Sequence, residues 1–216
     1  MERIEKTIKA LQKNNIEGLY AATAEDAVRL VKEMLFNNCI ITSGGSVSLA
    51  ESGVLELIKG KDYNYYDRNR MGITAEEQLE VYKATIGCDF YFCSSNAVTE
   101  NGELINVDGN CNRISAIAFG PKKVVMIVGV NKIVKDIKEG FLRVKKVAAP
   151  KNCVRLGVDT PCSRLGHCIS LEKMSNPDIS DGCDNKGRIC ANYLVSGKQR
   201  VNGRITVIIC GENLGY

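Results

Sequence analysis

The run Lys123–Gly129, KVVMIVG, constrains the fold more than any other part of this 216-residue chain. It is the most strongly β-branched segment, and an unbroken apolar run of this kind is typical of a parallel strand that is buried on both faces. Shorter apolar runs alternate with amphipathic helical segments, and these runs are residues 39–42, 64–67, 90–93 and 204–210. Strands that alternate with helices predict an α/β fold with an open, mostly parallel sheet and helices on both faces.

Helix-start signals indicate where several of these helices begin. Thr23 with Asp26, and Thr74 with Glu77, have the spacing of a capping box, in which each side chain bonds to the backbone N–H of the other residue. After Gly129 the sequence predicts a helix that starts at residues 130–132 and continues to about Ala148. Residues 114–119, ISAIAF, have β-type apolar character and predict a further strand.

The composition is that of an ordinary globular protein, and it excludes several function classes. Apolar residues make up 44% of the chain and charged residues 25%, while the formal net charge is only +4. No basic stripe carries interleaved aromatic residues, so nucleic acid is not an expected partner. No apolar run is long enough for a membrane span, and the N-terminal helical pattern has no apolar signal core, so we expect a cytoplasmic protein.

Three polar loops follow predicted strands. Residues 43–48, SGGSVS, lie between a strand and a helix, which suits an anion because backbone N–H groups are free there. Residues 94–113, SSNAVTENGELINVDGNCNR, and the pair Asn131-Lys132 follow two other strands. Ligands of parallel sheets bind at the carboxyl ends of the strands, so the three loops together predict a pocket. The alternatives are a glycine turn at residues 43–48 and a surface hairpin at residues 94–113.

Residues 151–202 lose the apolar periodicity and are rich in cysteine. We therefore predict one domain, with residues 1–150 and 203–216 as the α/β core and an irregular Cys-rich metal-binding lobe inserted before the last strand. Its four candidate ligands have the spacing Cys-x5-Cys-x14-Cys-x6-Cys, and they are Cys162, Cys168, Cys183 and Cys190. Zinc sites generally use closer pairs, so a [4Fe-4S] cluster is favoured over zinc. Cys153 and His167 are substitute ligands, and free, inert thiols are the alternative.

Several segments together resemble the lactate-utilisation domain family, known as LUD or DUF162. They are NAVTENGELINVDGNCNR, GVNKIV, APKNCVRL, TPCSRLGHC, CDNKGRIC and ENLGY, and the resemblance extends over essentially the whole chain. It implies the Rossmann-like fold of the sugar-phosphate isomerase and CoA-transferase group. It also implies a role in lactate oxidation beside oxidoreductase partner subunits. The chain departs from the family pattern at residues 169–182, which are inserted between the second and third cysteines.

The fold group also implies roles for particular residues. Glu100 or Asp108 would act as acid and base, and Lys132 would hold the substrate. The loop that binds the anion would be Ser43, Gly44, Gly45 and Ser46. Further substrate-binding residues would be Arg113 as an anion partner and the polar side chains Asn96, Asn112 and Asn131. The ordinary alternatives are a hairpin turn at Asp108-Gly109 and a helix start at Asn131-Lys132.

These observations support three functional hypotheses. The first is an iron–sulfur enzyme or oxidoreductase subunit that acts on a small carboxylate such as lactate. The second is a redox-inert enzyme of the isomerase or transferase kind with a structural metal. The third is a non-catalytic subunit that binds a small anionic metabolite and docks on partner oxidoreductases. The sequence leaves a homo-oligomer open.

Overall fold

The computed structural model describes all 216 residues and contains ten strands and nine α-helices. The strands are β1 Glu17–Ala21, β2 Ile40–Ser43, β3 Asn64–Tyr66, β4 Phe90–Cys93, β5 Ala97–Thr99, β6 Leu104–Asp108, β7 Lys123–Gly129, β8 Ile133–Val134, β9 Asn192–Ser196 and β10 Ile205–Cys210. The helices are α1 Glu2–Lys13, α2 Ala24–Met34, α3 Val47–Glu51, α4 Val54–Ile58, α5 Ala75–Thr85, α6 Asn112–Ala118, α7 Ile137–Arg143, α8 Ala149–Arg155 and α9 Pro161–Leu165. None of the helices is long and apolar enough to cross a membrane.

Six strands form one parallel sheet in the order β1-β10-β7-β4-β2-β3. The apolar run that predicted a central strand is β7, which lies between β10 and β4. Side chains of β10 alternate between the two faces, as the period of a strand requires. Val207 packs in a core with Leu11 of α1, and Ile208 packs in a second core with Val31 of α2. Helices therefore cover both faces, and the predicted fold class is confirmed.

A second sheet of four strands, in the order β8-β5-β6-β9, extends the fold beyond the prediction. Strands β5 and β6 form an antiparallel hairpin, and β6 pairs antiparallel with β9 from Asp108↔Asn192 to Leu104↔Ser196. Because β9 belongs to the Cys-rich segment, that segment is joined to the body by a full strand. The four-stranded sheet packs on a small hydrophobic core. Beside it lies an edge-to-face pair, Phe141 and Tyr193, with ring centroids 5.5 Å apart.

Both predicted capping boxes are present, at the start of α2 and of α5, but two other local predictions are wrong. Residues 114–119 lie mostly in helix α6, because Oδ2 of Asp108 accepts hydrogen bonds from the backbone N–H groups of Arg113 and Ile114 in its first turn. The helix expected from residue 130 begins at Ile137 instead. Residues 133–134 form β8, which pairs with β5.

The Cys-rich segment is also more regular than expected. It contains most of α8, all of α9 and the strand β9. Residues 173–191 form its longest stretch without helix or strand. Short helices and a paired strand satisfy the backbone groups of these parts of the segment, so these parts form without apolar periodicity, which is the signal that the sequence lacks there.

Candidate anion-binding site

A cavity of about 440 Å³ lies at the carboxyl edge of the parallel sheet. The chain that follows each of five strands contributes to its wall. These contributions are Gly45 to Ser48 after β2, Arg68 after β3, Ser94 to Asn96 after β4, Lys132 after β7 and Tyr216 after β10. The position agrees with the general rule for ligands of parallel sheets. The three polar loops of the sequence prediction therefore meet at one place.

The opposite wall comes from the end of β6, the start of α6, helix α8 and the Cys-rich segment. Asp108 and Arg113 belong to the first two of these elements, and Arg155 belongs to α8. Residues 186–189 of the Cys-rich segment also line the cavity. The contact is close, since a Cβ atom on Gly109 would lie 3.3 Å from Cα of Ile189. Residues 94–113 and the Cys-rich segment thus border the same cavity.

Positive charge dominates this cavity. Six of the lining side chains are basic, namely Arg68, Arg113, Lys132, Arg155, Lys186 and Arg188. The only carboxylate in the lining is Asp108, whose Oδ1 lies 2.9 Å from the guanidinium of Arg113. The remaining cations are not neutralised within the lining, and a concave site lined by one sign of charge concentrates ions of the opposite sign.

Two guanidinium groups lie beside Gly45. A Cβ atom on Gly45 would lie 3.2 Å from NH2 of Arg68 and 3.7 Å from NH2 of Arg155. The Nε atom of Arg68 is buried and has no hydrogen-bond partner in the protein. A buried donor without an acceptor costs free energy, and an anion bound beside Gly45 would supply the missing acceptor.

Lys132 is almost fully buried at 3% exposure. Its Nζ donates hydrogen bonds to Oγ of Ser48 at 2.7 Å and to Oγ of Ser94 at 3.0 Å. Burial, followed by the positive charges of Arg143 and Arg113, lowers the pKa of Lys132 to about 7. The amine can therefore gain or lose a proton near neutral pH, next to two hydroxyl groups that also line the cavity.

Arg113 lines the cavity, but protein acceptors occupy its N–H groups. Nε donates to Oδ1 of Asp108 at 3.0 Å. NH1 donates to the carbonyl of Ser94 and to Oδ1 of Asn106, while NH2 donates to Oδ1 of Asn96 and the carbonyl of Val107. This arrangement makes Arg113 a support for the wall and leaves no free donor for the predicted anion contact.

The other predicted residues near the cavity are also held by protein contacts. Both oxygens of Asp108 accept hydrogen bonds, two of them from backbone N–H groups of α6. Oγ of Ser46 caps α3 by accepting from the N–H of Leu49. Oδ1 of Asn96 accepts from Val107 as well as from Arg113, whereas Asn112 borders the cavity at the start of α6.

The structure places four predicted residues outside this cavity, which corrects the sequence-based site. Oε1 and Oε2 of Glu100 accept hydrogen bonds from Arg3 and Lys6 of α1, so its carboxylate is not available as acid or base there. Asn131 binds the C-terminal segment through Leu214 and Gly215. The other two lie just behind the wall. Ser43 shares a hydrogen bond of 2.7 Å with the hydroxyl of Tyr65, and Gly44 packs against Tyr91.

Sequence reasoning missed several side chains that define the cavity. Arg68 follows Tyr66, the last residue of β3, and its position after a strand was an available signal. Tyr216 likewise comes after the predicted strand at residues 204–210, whereas Arg155 had no such signal, because it reaches the cavity only through contacts in the fold. Nε of Arg155 donates to the hydroxyl of Tyr216 at 2.9 Å, and that hydroxyl donates to Oδ1 of Asn152.

The predicted metal ligands do not converge on one point. No group of three or more His, Cys, Asp or Glu side chains lies close enough to hold a metal ion. Sγ of Cys162 lies 3.7 Å from Sγ of Cys153, without a third ligand beside them. Burial is the main cause that raises the pKa of Cys162 to about 11. Burial also raises the pKa of Cys190. As arranged here, the four predicted cysteines do not fit a closed metal site.

Comparison with known proteins identifies the family. The model of the LUD domain family matches residues 4–210, so the chain belongs to the LUD domain family. A crystal structure of a DUF162 family protein from Deinococcus radiodurans is similar over 97% of both chains, with a TM-score of 0.54 and 14% sequence identity. That likeness concerns the fold.

A weaker similarity involves ribose 5 phosphate isomerase A from Neisseria gonorrhoeae. It covers 54% of this chain and 53% of that protein, with 19% identity and a TM-score of 0.34, which is too low to carry an argument. No curated protein matches the chain.

Replacement of Arg113 by Met should destabilise the protein by about 3–5 kcal/mol, because the buried Asp108 carboxylate loses its partner. The additional change Asp108→Leu should recover part of this loss. Urea unfolding of the two single variants and the double variant measures the coupling. An Arg113→Met variant as stable as the wild type would contradict the supporting role of Arg113.

The pKa of Lys132 also predicts how stability depends on pH. The folded state loses this proton near pH 7 and the unfolded chain near the ordinary lysine pKa of 10.5, so the unfolded chain binds more protons between these values. The free energy of unfolding should therefore rise with pH there, by up to about 1.4 kcal/mol per pH unit. Relative to Lys132→Met, the wild type should gain stability between pH 7 and 8.5. A constant difference would contradict the lowered pKa.

Proposed function

We propose that this LUD domain protein binds a small carboxylate metabolite in the cationic cavity, with lactate as the first candidate. The family is associated with lactate utilisation, which makes a 2-hydroxy carboxylate the natural first ligand. The observation that carries the proposal is the pair of guanidinium groups beside Gly45, where Nε of Arg68 lacks an acceptor. A carboxylate matches the forked donor geometry of an arginine and would satisfy that atom.

The same cavity offers groups that suit the hydroxyl of such a ligand. Lys132 and its two hydroxyl partners, Ser48 and Ser94, lie on the cavity wall. With a pKa of about 7, a neutral Lys132 is able to accept the proton of a ligand hydroxyl at physiological pH. We therefore infer that Lys132 is the acid–base group of the site, in preference to Glu100, which is bound to α1, and to Asp108, whose oxygens are occupied.

The role as an iron–sulfur enzyme or as a subunit of one remains a proposal with separate support. The four cysteines Cys162, Cys168, Cys183 and Cys190 belong to the segment that borders the cavity, and three of them are buried. Because they do not converge in this arrangement, we derive no step of the reaction through a cluster. A non-catalytic subunit that binds the metabolite for a partner oxidoreductase would use the same anion site.

Calorimetric titration with lactate tests the ligand directly. The wild type should bind lactate, and Arg68→Gln and Arg155→Gln should each weaken binding about tenfold or more, because a hydrogen bond to a charged group is lost. Arg164→Gln is the matched control, since Arg164 is exposed and pairs with Asp159 outside the cavity. Equal affinities for the wild type and both cavity variants would contradict the proposed site.

Anaerobic purification tests the cluster independently of the anion site. A [4Fe-4S] protein should be brown, with about four iron and four sulfide per chain, and Cys168→Ala or Cys190→Ala should lower both contents. Cys39→Ala, at a buried cysteine of the core that also contains Val31, is the control and should leave them unchanged. A colourless wild type that carries zinc, or no metal, would refute the cluster.

A further inference from the structure

A second cavity of about 320 Å³ adjoins the cationic one. It lies between the face of α5 that carries Val81 and the face of α6 that carries Ala116, and Tyr91 of β4 also lines it. Its lining is mostly carbon, and the single charged side chain is Arg68. The only lining residues that this cavity has in common with the anion site lie at the boundary between the two cavities.

Two large apolar side chains of this cavity are left open to solvent. Ile86, directly after α5, is 70% exposed, and Phe119, directly after α6, is 80% exposed. Single exposed apolar residues are common, but two that border the same apolar cavity provide surface that a ligand can cover. Burial of that surface is favourable in proportion to the apolar area removed from water.

The two cavities share part of their walls. Arg68, Tyr82 and Asn112 line both of them. Arg68 is thus the boundary between a cationic space and an apolar space, and its buried Nε has no acceptor in the protein. A ligand with its carboxylate at Arg68 has room to extend its carbon chain past this residue into the second cavity.

We propose that the second cavity binds the apolar arm of a carboxylate whose head occupies the cationic cavity. The preferred ligand is therefore a 2-hydroxy carboxylate that carries a branched aliphatic or aromatic arm in place of the methyl group of lactate. This inference rests on the proposed function, because the position of the carboxylate is taken from that proposal. The division of the site agrees with ligand pockets in general, where apolar walls give affinity and a few polar groups fix the orientation.

A series of acids with growing arms provides the test. Lactate, 2-hydroxybutanoate, 2-hydroxy-4-methylpentanoate and 3-phenyllactate are titrated into the wild type by calorimetry. Each added methylene that becomes buried should tighten binding about fourfold, which corresponds to about 0.8 kcal/mol. The affinity should thus increase along the aliphatic series, and the aromatic acid should also bind more tightly than lactate.

Two variants test whether the arm lies in the second cavity. Phe119→Ala removes an exposed side chain from the wall of the second cavity. Ser115→Trp fills that cavity from an exposed position of α6. Both should reduce the preference for 2-hydroxy-4-methylpentanoate over lactate to less than about threefold and leave the affinity for lactate unchanged. Phe36→Ala is the control, because Phe36 is a largely exposed phenylalanine that lines neither cavity.

The possible outcomes separate this inference from the proposed function. If lactate binds, Arg68→Gln weakens it and the longer acids bind no more tightly, the second cavity is not an arm site and only the inference fails. If the longer acids bind more tightly but Phe119→Ala and Ser115→Trp keep that preference, the arm lies elsewhere and the inference also fails. If none of the acids binds, the inference and the proposed function fail together. Tight binding of the longer acids that both variants abolish supports the inference, whether or not lactate itself binds.

Discussion

The hydrogen-bonded guanidinium of Arg113 holds together the segments on which the cavity depends. It joins the end of β4 through the carbonyl of Ser94, the start of β5 through Asn96 and the end of β6 through Asp108 and the carbonyl of Val107. Asp108 in turn fixes the first turn of α6. A buried ion pair is stabilising only when further hydrogen bonds satisfy both partners, and this one meets that condition.

Because Arg113 and Asp108 form an ion pair, no carboxylate of the lining is left to neutralise the other basic side chains of the cavity. This residual charge is what distinguishes the cavity from an ordinary gap between a sheet and its helices. The position of Gly45 allows two guanidinium groups to come close to the backbone, and Lys132 adds a group that titrates near neutral pH. Binding of an anion and transfer of a proton are therefore possible within one cavity, independently of any metal in the Cys-rich segment.

Much of the fold and part of the site could be predicted from the sequence. The apolar run of β7 and the capping boxes depend on local patterns, and the location of Lys132 follows from the rule that ligands bind at strand ends. The remainder depends on contacts between distant residues. The carboxylate of Glu100 is bound to a helix about a hundred residues away in the sequence, residues 133–134 form a strand because β5 lies beside them, and Arg155 reaches the cavity through α8. Local patterns contain no information about such contacts.

The account as a whole depends on an anion that binds beside Gly45, between Arg68 and Arg155. A crystal structure of the protein with a bound 2-hydroxy carboxylate tests this most directly. We expect the carboxylate in contact with the guanidinium of Arg68, including its Nε atom, and the hydroxyl directed towards Lys132. A ligand bound at another place, with the space beside Gly45 occupied only by water at saturating ligand concentration, would contradict the account.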